Sequence, residues 1–320
     1  MSQYQENYRK VMSILADRRT SAQETADRHR ADFHARCPRA VTLDAELAKT
    51  AMRIFSAATS GVDVDKKVAA IREENEQMQS ERKGLLASLG LPADYTDPHY
   101  TCPLCSDTGF IMTDMCPCTK EMIRLENLRT CGAGAGVDTQ TFDTFSLKYY
   151  EDDPDTYQIM RQNLAMARDF AEHFTPGKEN LLLMGGTGLG KTHLSTAIAR
   201  TVIEGGHEVV YETAQTVFSD FADERFRNGD SSRTDKYLDC DLLILDDLGT
   251  EFTNSFTVTC LYQIVNTRLI RNRSTVISTN LTPRELNDRY DERLTSRFLG
   301  LYRVLQFKGQ DVRYQKLAEK

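Results

Sequence analysis

Residues 181–192 read Leu-Leu-Leu-Met-Gly-Gly-Thr-Gly-Leu-Gly-Lys-Thr: an apolar run, a glycine-rich turn, then a lysine and a threonine. Gly185, Gly186, Thr187, Gly188, Leu189, Gly190, Lys191 and Thr192 satisfy every position of the pattern G-x-x-x-x-G-K-[ST]. The four apolar residues suit a buried strand and the stretch after the loop suits a helix, so the order is strand, turn, helix. A backbone that curls tightly with consecutive N–H groups facing inward binds an anion, and side chains at the glycine positions would obstruct that curl. A helix opening near Lys191 adds the positive end of its dipole. Lys191 then serves as a point charge on the outer phosphates of a nucleotide, and the Thr192 hydroxyl as a ligand for Mg²⁺.

Working outward toward the C-terminus, short apolar runs alternate with helical stretches, the pattern of a parallel sheet covered on both faces. Five strands are expected, at 181–184, 208–211, 242–245, 275–278 and 302–305. The third ends in two carboxylates, Asp246 and Asp247. Strand ends of a parallel sheet open onto one crevice, so Asp246 can hold Mg²⁺ through water while Asp247 polarises an attacking water. The fourth runs into Thr279 and Asn280. If it neighbours the Asp246 strand, Asn280 orients water or senses the terminal phosphate; taken alone, a strand-end Asn is a turn residue. Arg293 and Arg297 are four apart on an expected helix and share a face. They are either surface ion pairs or an arginine finger that completes a neighbour's site, which requires head-to-tail assembly.

Toward the N-terminus the character changes. Residues from about 5 to 35 contain neither Gly nor Pro, and Cys37-Pro38 stops the run. A second helix is expected to start at a Thr42 cap and to close at Ser60-Gly61. A third is expected from Asp63 to Ser88, with Val64, Ile71, Met78 and Leu85 at heptad spacing; Asn75 and Arg82 on the companion seam favour short antiparallel packing over a long coiled coil. Cys102-x-x-Cys105 and Cys116-x-Cys118 then follow. Four thiolates suit a closed structural Zn²⁺ site, although the tight second pair leaves His99 or Cys131 open as a replacement ligand. The glycines of 131–136 suggest a hinge. The expected divisions are 1–98 helical, 99–130 zinc knuckle, 131–141 linker and 142–320 nucleotide-binding.

Eight cysteines with no hydrophobic leader at the start suggest a cytoplasmic chain of reduced or metal-bound thiols rather than disulfides. A net charge of -7 argues against nucleic-acid binding over the whole surface and leaves room for a local basic patch, for which Arg268, Arg271 and Arg273 are candidates. No stretch is long and apolar enough to suggest a membrane span.

The order of phosphate loop, Asp-Asp strand, Ser-Thr-Asn strand tip and Leu-Thr-Ser-Arg-Phe resembles the AAA+ ATPases. Within them, Gly-Lys-Thr-His-Leu at 190–194 and Leu-Asp-Asp-Leu-Gly at 245–249 resemble the DnaC/DnaI-type replicative helicase loaders and the related IstB transposition helpers. The resemblance covers about 142–313. It implies an α/β AAA+ domain with a five-stranded parallel sheet, ATP and Mg²⁺ on Lys191, Thr192 and Asp246, hydrolysis through Asp247, Asn280 as sensor 1 and Arg297 as the finger, with Arg293 the weaker candidate. The chain stops soon after the fifth strand, so a lidless form is expected. A sensor-2 arginine is left open, with Arg313 uncommitted.

Loaders of this kind carry an N-terminal helical, zinc-containing module that contacts the hexameric replicative helicase, and the knuckle at 102–109 resembles that form. The resemblance therefore implies helicase loading, with single-stranded DNA and further copies of the chain as partners. Its alternatives are an IstB-like transposition helper and a zinc-dependent adaptor in which nucleotide is structural.

Overall fold

A computed structural model describes residues 3–59, 63–134, 136–226 and 232–318. In chain order the elements are α1 (Gln3–Arg36), α2 (Pro38–Thr59), α3 (Val64–Ser88), the short strands β1 (Phe110–Ile111) and β2 (Asp114–Met115), α4 (Pro117–Thr130) and α5 (Gly136–Thr139). Then come α6 (Pro154–Glu172), β3 (Leu181–Met184), α7 (Lys191–Glu204), β4 (Val209–Thr213), α8 (Ala214–Phe226), α9 (Ser232–Asp239), β5 (Leu242–Leu248), α10 (Ser255–Ile270), β6 (Ser274–Thr279), α11 (Pro283–Tyr290), α12 (Glu292–Leu301), β7 (Arg303–Gln306) and α13 (Val312–Ala318). They form two compact units, Met12–Thr119 and, together, Met1–Val11 with Lys120–Lys320.

In the helical unit, α2 and α3 form an antiparallel pair. The polar seam residues that argued against a coiled coil are its cross-links: Asn75 donates to Thr50 Oγ1 at 3.1 Å and Arg82 to Asp44 at 2.7 Å. Arg82 also donates to Thr96 at 2.7 Å, and His34 of α1 pairs with Asp44 at 2.8 Å. The two partners, Arg82 first, hold the Asp44 carboxyl below its ordinary range against the opposing effect of burial, the largest single influence. The second helix begins earlier than expected. Pro38 occupies its first turn, where a missing N–H costs nothing, and Thr42 lies inside, its hydroxyl donating to Arg39 O at 2.9 Å. Ser60 and Gly61, read as its stop, lie outside the described residues.

In the larger unit the parallel sheet runs β4-β5-β6-β3-β7. Period-two alternation divides its side chains between two cores. Leu181, Leu183, Ile244, Val276 and Leu305 pack with α6 and α7. Leu182, Met184, Leu243, Leu245 and Ile277 pack with α8 to α12. All four residues of β3 are buried, as its unbroken apolar run required. The five strands fall where expected: β3 matches at both ends, β6 gains one residue at each, and β4 and β7 begin one residue later. At their far ends β4, β5 and β7 run two, three and one residues further, because pairing continues into the polar tips. The stretch read as a hinge opens with Cys131, buried in the α7-side core, and continues into α5, whose Val137 is buried beside it.

The order places β6 between β5 and β3. Thr279 pairs with Met184 on one side and with Leu248 on the other. The three strand ends therefore open onto the same crevice, as the strand-end reading required.

Candidate nucleotide site

The loop between β3 and α7 curls over the sheet edge. At Gly188 φ is +75°, and a Cβ there would lie 2.0 Å from the Asp311 carboxylate, so only glycine fits. The α7 helix begins at Lys191, whose side chain is buried. Lys191 Nζ donates to the carbonyls of Gly185 and Gly186 at 2.8 Å each and to Asn280 Oδ1 at 2.5 Å. Burial lowers its pKa, while Asp247 and Asp246 work in the opposite direction.

Thr192 Oγ1 donates to Asp246 Oδ2 at 3.2 Å, joining the loop to the β5 tip. Ser278 Oγ donates to the other oxygen of Asp246 and accepts the Asp247 N–H at 3.0 Å. Asp247 itself adopts φ +56°, a left-handed conformation uncommon outside glycine, which marks the turn at the strand tip. Burial raises the Asp247 pKa above the ordinary carboxylate range, and the Asp246 charge raises it further; Lys191 and Arg313 offset part of this.

Gly188, Lys191, Thr192, Asp247 and Asn280 line a cleft of about 630 Å³, with Asp246 and Ser278 buried behind that wall. Phe145, Tyr149 and Tyr150 also line it, with the Tyr150 hydroxyl donating to Leu189 O at 2.9 Å. Aromatic, cationic and carboxylate groups lining one cleft suit a nucleotide. Thr192 and Asp246 together present the oxygen donors that a small hard cation takes.

Arg297 is not in this wall. It stacks over the Tyr262 ring at 4.8 Å and donates to Tyr262 Oη and to Arg293 O, each at 3.1 Å. Arg293 is exposed. Arg313 and Lys316 of α13 do line the cleft. Spacing gave no reason to choose Arg313, because only the fold brings α13 back over the loop, where Val312 N donates to Gly188 O at 3.0 Å.

The proposed basic patch is corrected. Arg268 is fully buried, with its guanidinium donating to Ser274 O at 2.5 Å, Tyr237 O at 2.8 Å and Thr275 Oγ1 at 3.1 Å. Arg271 pairs with Asp239 at 2.5 Å, and Arg273 pairs with Asp241. Helical position alone could not separate a buried strap from a surface charge.

Residues 149–319 match the family of IstB-like ATP binding proteins, more than half of the chain. The chain belongs to this family. Its IstB-like domain is also similar to the chromosomal replication initiator protein DnaA. The identity is 30% over 218 residues with the protein from Thermoanaerobacter sp. (strain X514), covering 63% of this chain and 44% of the relative. With that from Aliarcobacter butzleri (strain RM4018) it is 30% over 192 residues, covering 56% and 39%. The chain thus spans less than half the length of these curated relatives. Among solved structures, the DnaC helicase loader gives a TM-score of 0.49 at 22% identity, over 55% of this chain and 100% of that one. DnaI gives 0.45 at 20% identity, over 55% and 91%. Likeness at that level says nothing of partner or activity. Within the IstB-like domain the phosphate loop, Asp247 and Asn280 line one cleft at the ends of adjacent parallel strands.

The helical unit carries a second cluster. The Sγ atoms of Cys102, Cys105, Cys116 and Cys118 lie within 4.8 Å of one another. Cys102 and Cys116 are 3.8 Å apart, and Cys105 and Cys118 3.6 Å. A tetrahedral Zn²⁺ with bonds of about 2.3 Å spaces its sulfurs by about 3.8 Å, so the set fits that ion. Buried Asp107 braces the first knuckle by accepting the N–H groups of Thr101 at 2.7 Å and Cys102 at 2.9 Å. His99 instead lies exposed, 3.7 Å from Asp94, and Cys131 donates to Leu128 O at 3.3 Å in the core of the other unit. No described helix is long and apolar enough to cross a membrane.

Proposed function

We propose that this protein is an ATP-hydrolysing loader of a replicative helicase, which it binds through its N-terminal zinc module while the AAA+ domain binds ATP and single-stranded DNA. The observation that carries this reading is the pairing, in one chain, of the IstB-like nucleotide cleft with the four-cysteine cluster upstream of it. The similarity to replication initiator proteins supports a replication setting for this reading.

In this reading Lys191 leaves its loop carbonyls for the outer phosphates of ATP, and Thr192 with Asp246 holds Mg²⁺. The cation neutralises charge on the phosphates. Asp247 orients and deprotonates the attacking water, and Asn280 fixes it against the terminal phosphate. Arg297 of one copy reaches the cleft of the next, so hydrolysis depends on self-association. Cys102, Cys105, Cys116 and Cys118 hold a structural Zn²⁺, which stabilises a knuckle too small to have a core of its own.

The test is capture by the full-length, zinc-replete protein. It should retain a hexameric replicative helicase, in a manner that changes between ATP and ADP. Failure to retain any helicase would remove the loader reading. The match to IstB-like proteins favours one second reading, a transposition helper, and retention of a transposase in the same assay would select it.

A further inference from the structure

Asp246 is held by hydroxyls from three sides. Tyr211 Oη donates to Oδ2 at 2.7 Å, Thr192 reaches the same oxygen at 3.2 Å, and Ser278 donates to Oδ1. Thr192 and Ser278 belong to the motifs already described; Tyr211 does not. It lies on the edge strand β4, where Thr213 is the register partner of Asp246 and Tyr211 that of Ile244. Residues two apart on a strand share a face, so Tyr211 and Asp246 project to the same side, and a phenol is long enough to span the diagonal. The ring is buried, and against a carboxylate, which only accepts, the phenol hydroxyl is the donor.

Tyr211 is itself fixed from outside the sheet. Its N–H donates to Cys131 O at 2.6 Å. The next residue, Gly132, has φ +94°, and a Cβ there would lie 1.9 Å from Tyr211 O. Only glycine permits this approach. The backbone that pins Tyr211 directly follows the last turn of α4.

We propose that Tyr211 is the positioning residue of the divalent-cation site, turning the Asp246 carboxylate so that Oδ2 stands beside Thr192, and that the Cys131–Gly132 backbone sets where Tyr211 sits. The inference rests on the reading of this cleft as a Mg²⁺–ATP site. It gives the segment after α4 a grip on cation affinity without contact to the nucleotide. A partner hydroxyl one step behind a metal-binding carboxylate acts by fixing its orientation.

The experiment uses full-length protein and a fluorescent ATP analogue, titrated in EDTA and across a Mg²⁺ series. For Tyr211→Phe, affinity in EDTA should stay within about twofold of wild type, while the Mg²⁺ concentration giving half the cation-linked gain should rise about 10–100-fold. Gly132→Ala, which keeps the phenol but pushes the pinning backbone away, should shift the same midpoint upward. If both variants keep the wild-type Mg²⁺ midpoint, Tyr211 does not position the site although the ATP reading stands. A loss of affinity in EDTA equal to that in Mg²⁺ assigns Tyr211 a structural role and equally overturns the proposal. If the wild-type protein binds no nucleotide, the ATP reading fails and takes the inference with it.

Discussion

Lys191 Nζ donates to Asn280 Oδ1 at 2.5 Å, tying the phosphate loop to the tip of β6. An ammonium offers only donors, so the amide oxygen must face it and the Asn280 Nδ2 is left as a donor for other groups in the cleft. Asn280→Ala should therefore leave ATP affinity nearly intact while lowering kcat about 10²–10³-fold, the usual effect of losing one positioned donor. Lys191→Ala should instead abolish ATP binding itself. Equilibrium titration beside steady-state hydrolysis separates the two, and equal loss of binding in both variants would count against the division of roles.

Asp247 carries a raised pKa for which burial is the first cause, and Arg313 is one of the two cations that pull it back. A carboxyl with a raised pKa keeps its proton to higher pH, so a base of this kind is lost earlier on acidification. The acid limb of the kcat/KM profile, which reports the free enzyme, should lie above the ordinary carboxylate value of 3.8. Arg313→Gln removes a charge that lowers the Asp247 pKa and should move that limb to higher pH. An unmoved limb would detach either Asp247 from the base role or Arg313 from the site.

The buried guanidinium of Arg268 gives a prediction of stability rather than of DNA binding. Arg268→Met removes the donors to Ser274 O, Tyr237 O and Thr275 Oγ1 at a fully buried position. The expected loss exceeds about 2 kcal/mol. A lowered urea midpoint with unchanged single-stranded DNA affinity per folded molecule is the result to look for.

Arg268 also marks where sequence reasoning stops. The phosphate loop, the Asp-Asp tip and the five strands were legible because each motif brings its own local context: an apolar run, a glycine turn, a polar strand end. That β6 lies beside β5 is only a condition in the sequence and needed the fold. Heptad spacing pointed to short antiparallel packing of the third helix, with Asn75 and Arg82 as polar exceptions, without naming α2 as its partner. Arg313 was named without commitment, and Tyr211 was not legible at all. One reaches the cleft only because α13 folds back over the loop, and the other touches Asp246 across a strand diagonal that needs the β4–β5 register. The Thr42 cap failed for a local reason, since a proline in the first turn starts a helix as well as a capping hydroxyl does.

The cysteine cluster should hold one Zn²⁺ per chain, and Cys105→Ser should lose it. Because ligand thiolates are organised only in the folded knuckle, the binding free energy is folding free energy. Zinc-selective chelation of the full-length protein, with Mg²⁺ kept in excess, should therefore lower the melting of the helical unit while leaving ATP affinity unchanged. Metal analysis and a two-transition calorimetric scan read both arms. A purified wild-type protein free of zinc, or a chelator that abolishes ATP binding, would contradict the assignment.

Arg297 offers the sharpest test of assembly. Its guanidinium is stacked on Tyr262 and lies outside its own cleft wall, so any role in hydrolysis belongs to a neighbouring copy. Removing a finger that stabilises charge on the transferred phosphoryl group costs about 10³–10⁵ in kcat. Arg297→Ala should lose that factor with ATP affinity unchanged, and wild-type turnover should fall on dilution. Lys191→Ala cannot bind ATP but still carries its arginine, whereas Arg297→Ala binds ATP but has none. Mixing the two inactive variants should restore part of the wild-type rate, because some junctions then combine an intact cleft with an intact arginine. No recovery on mixing, at concentrations where the wild type turns over fully, would show that Arg297 does not act in trans.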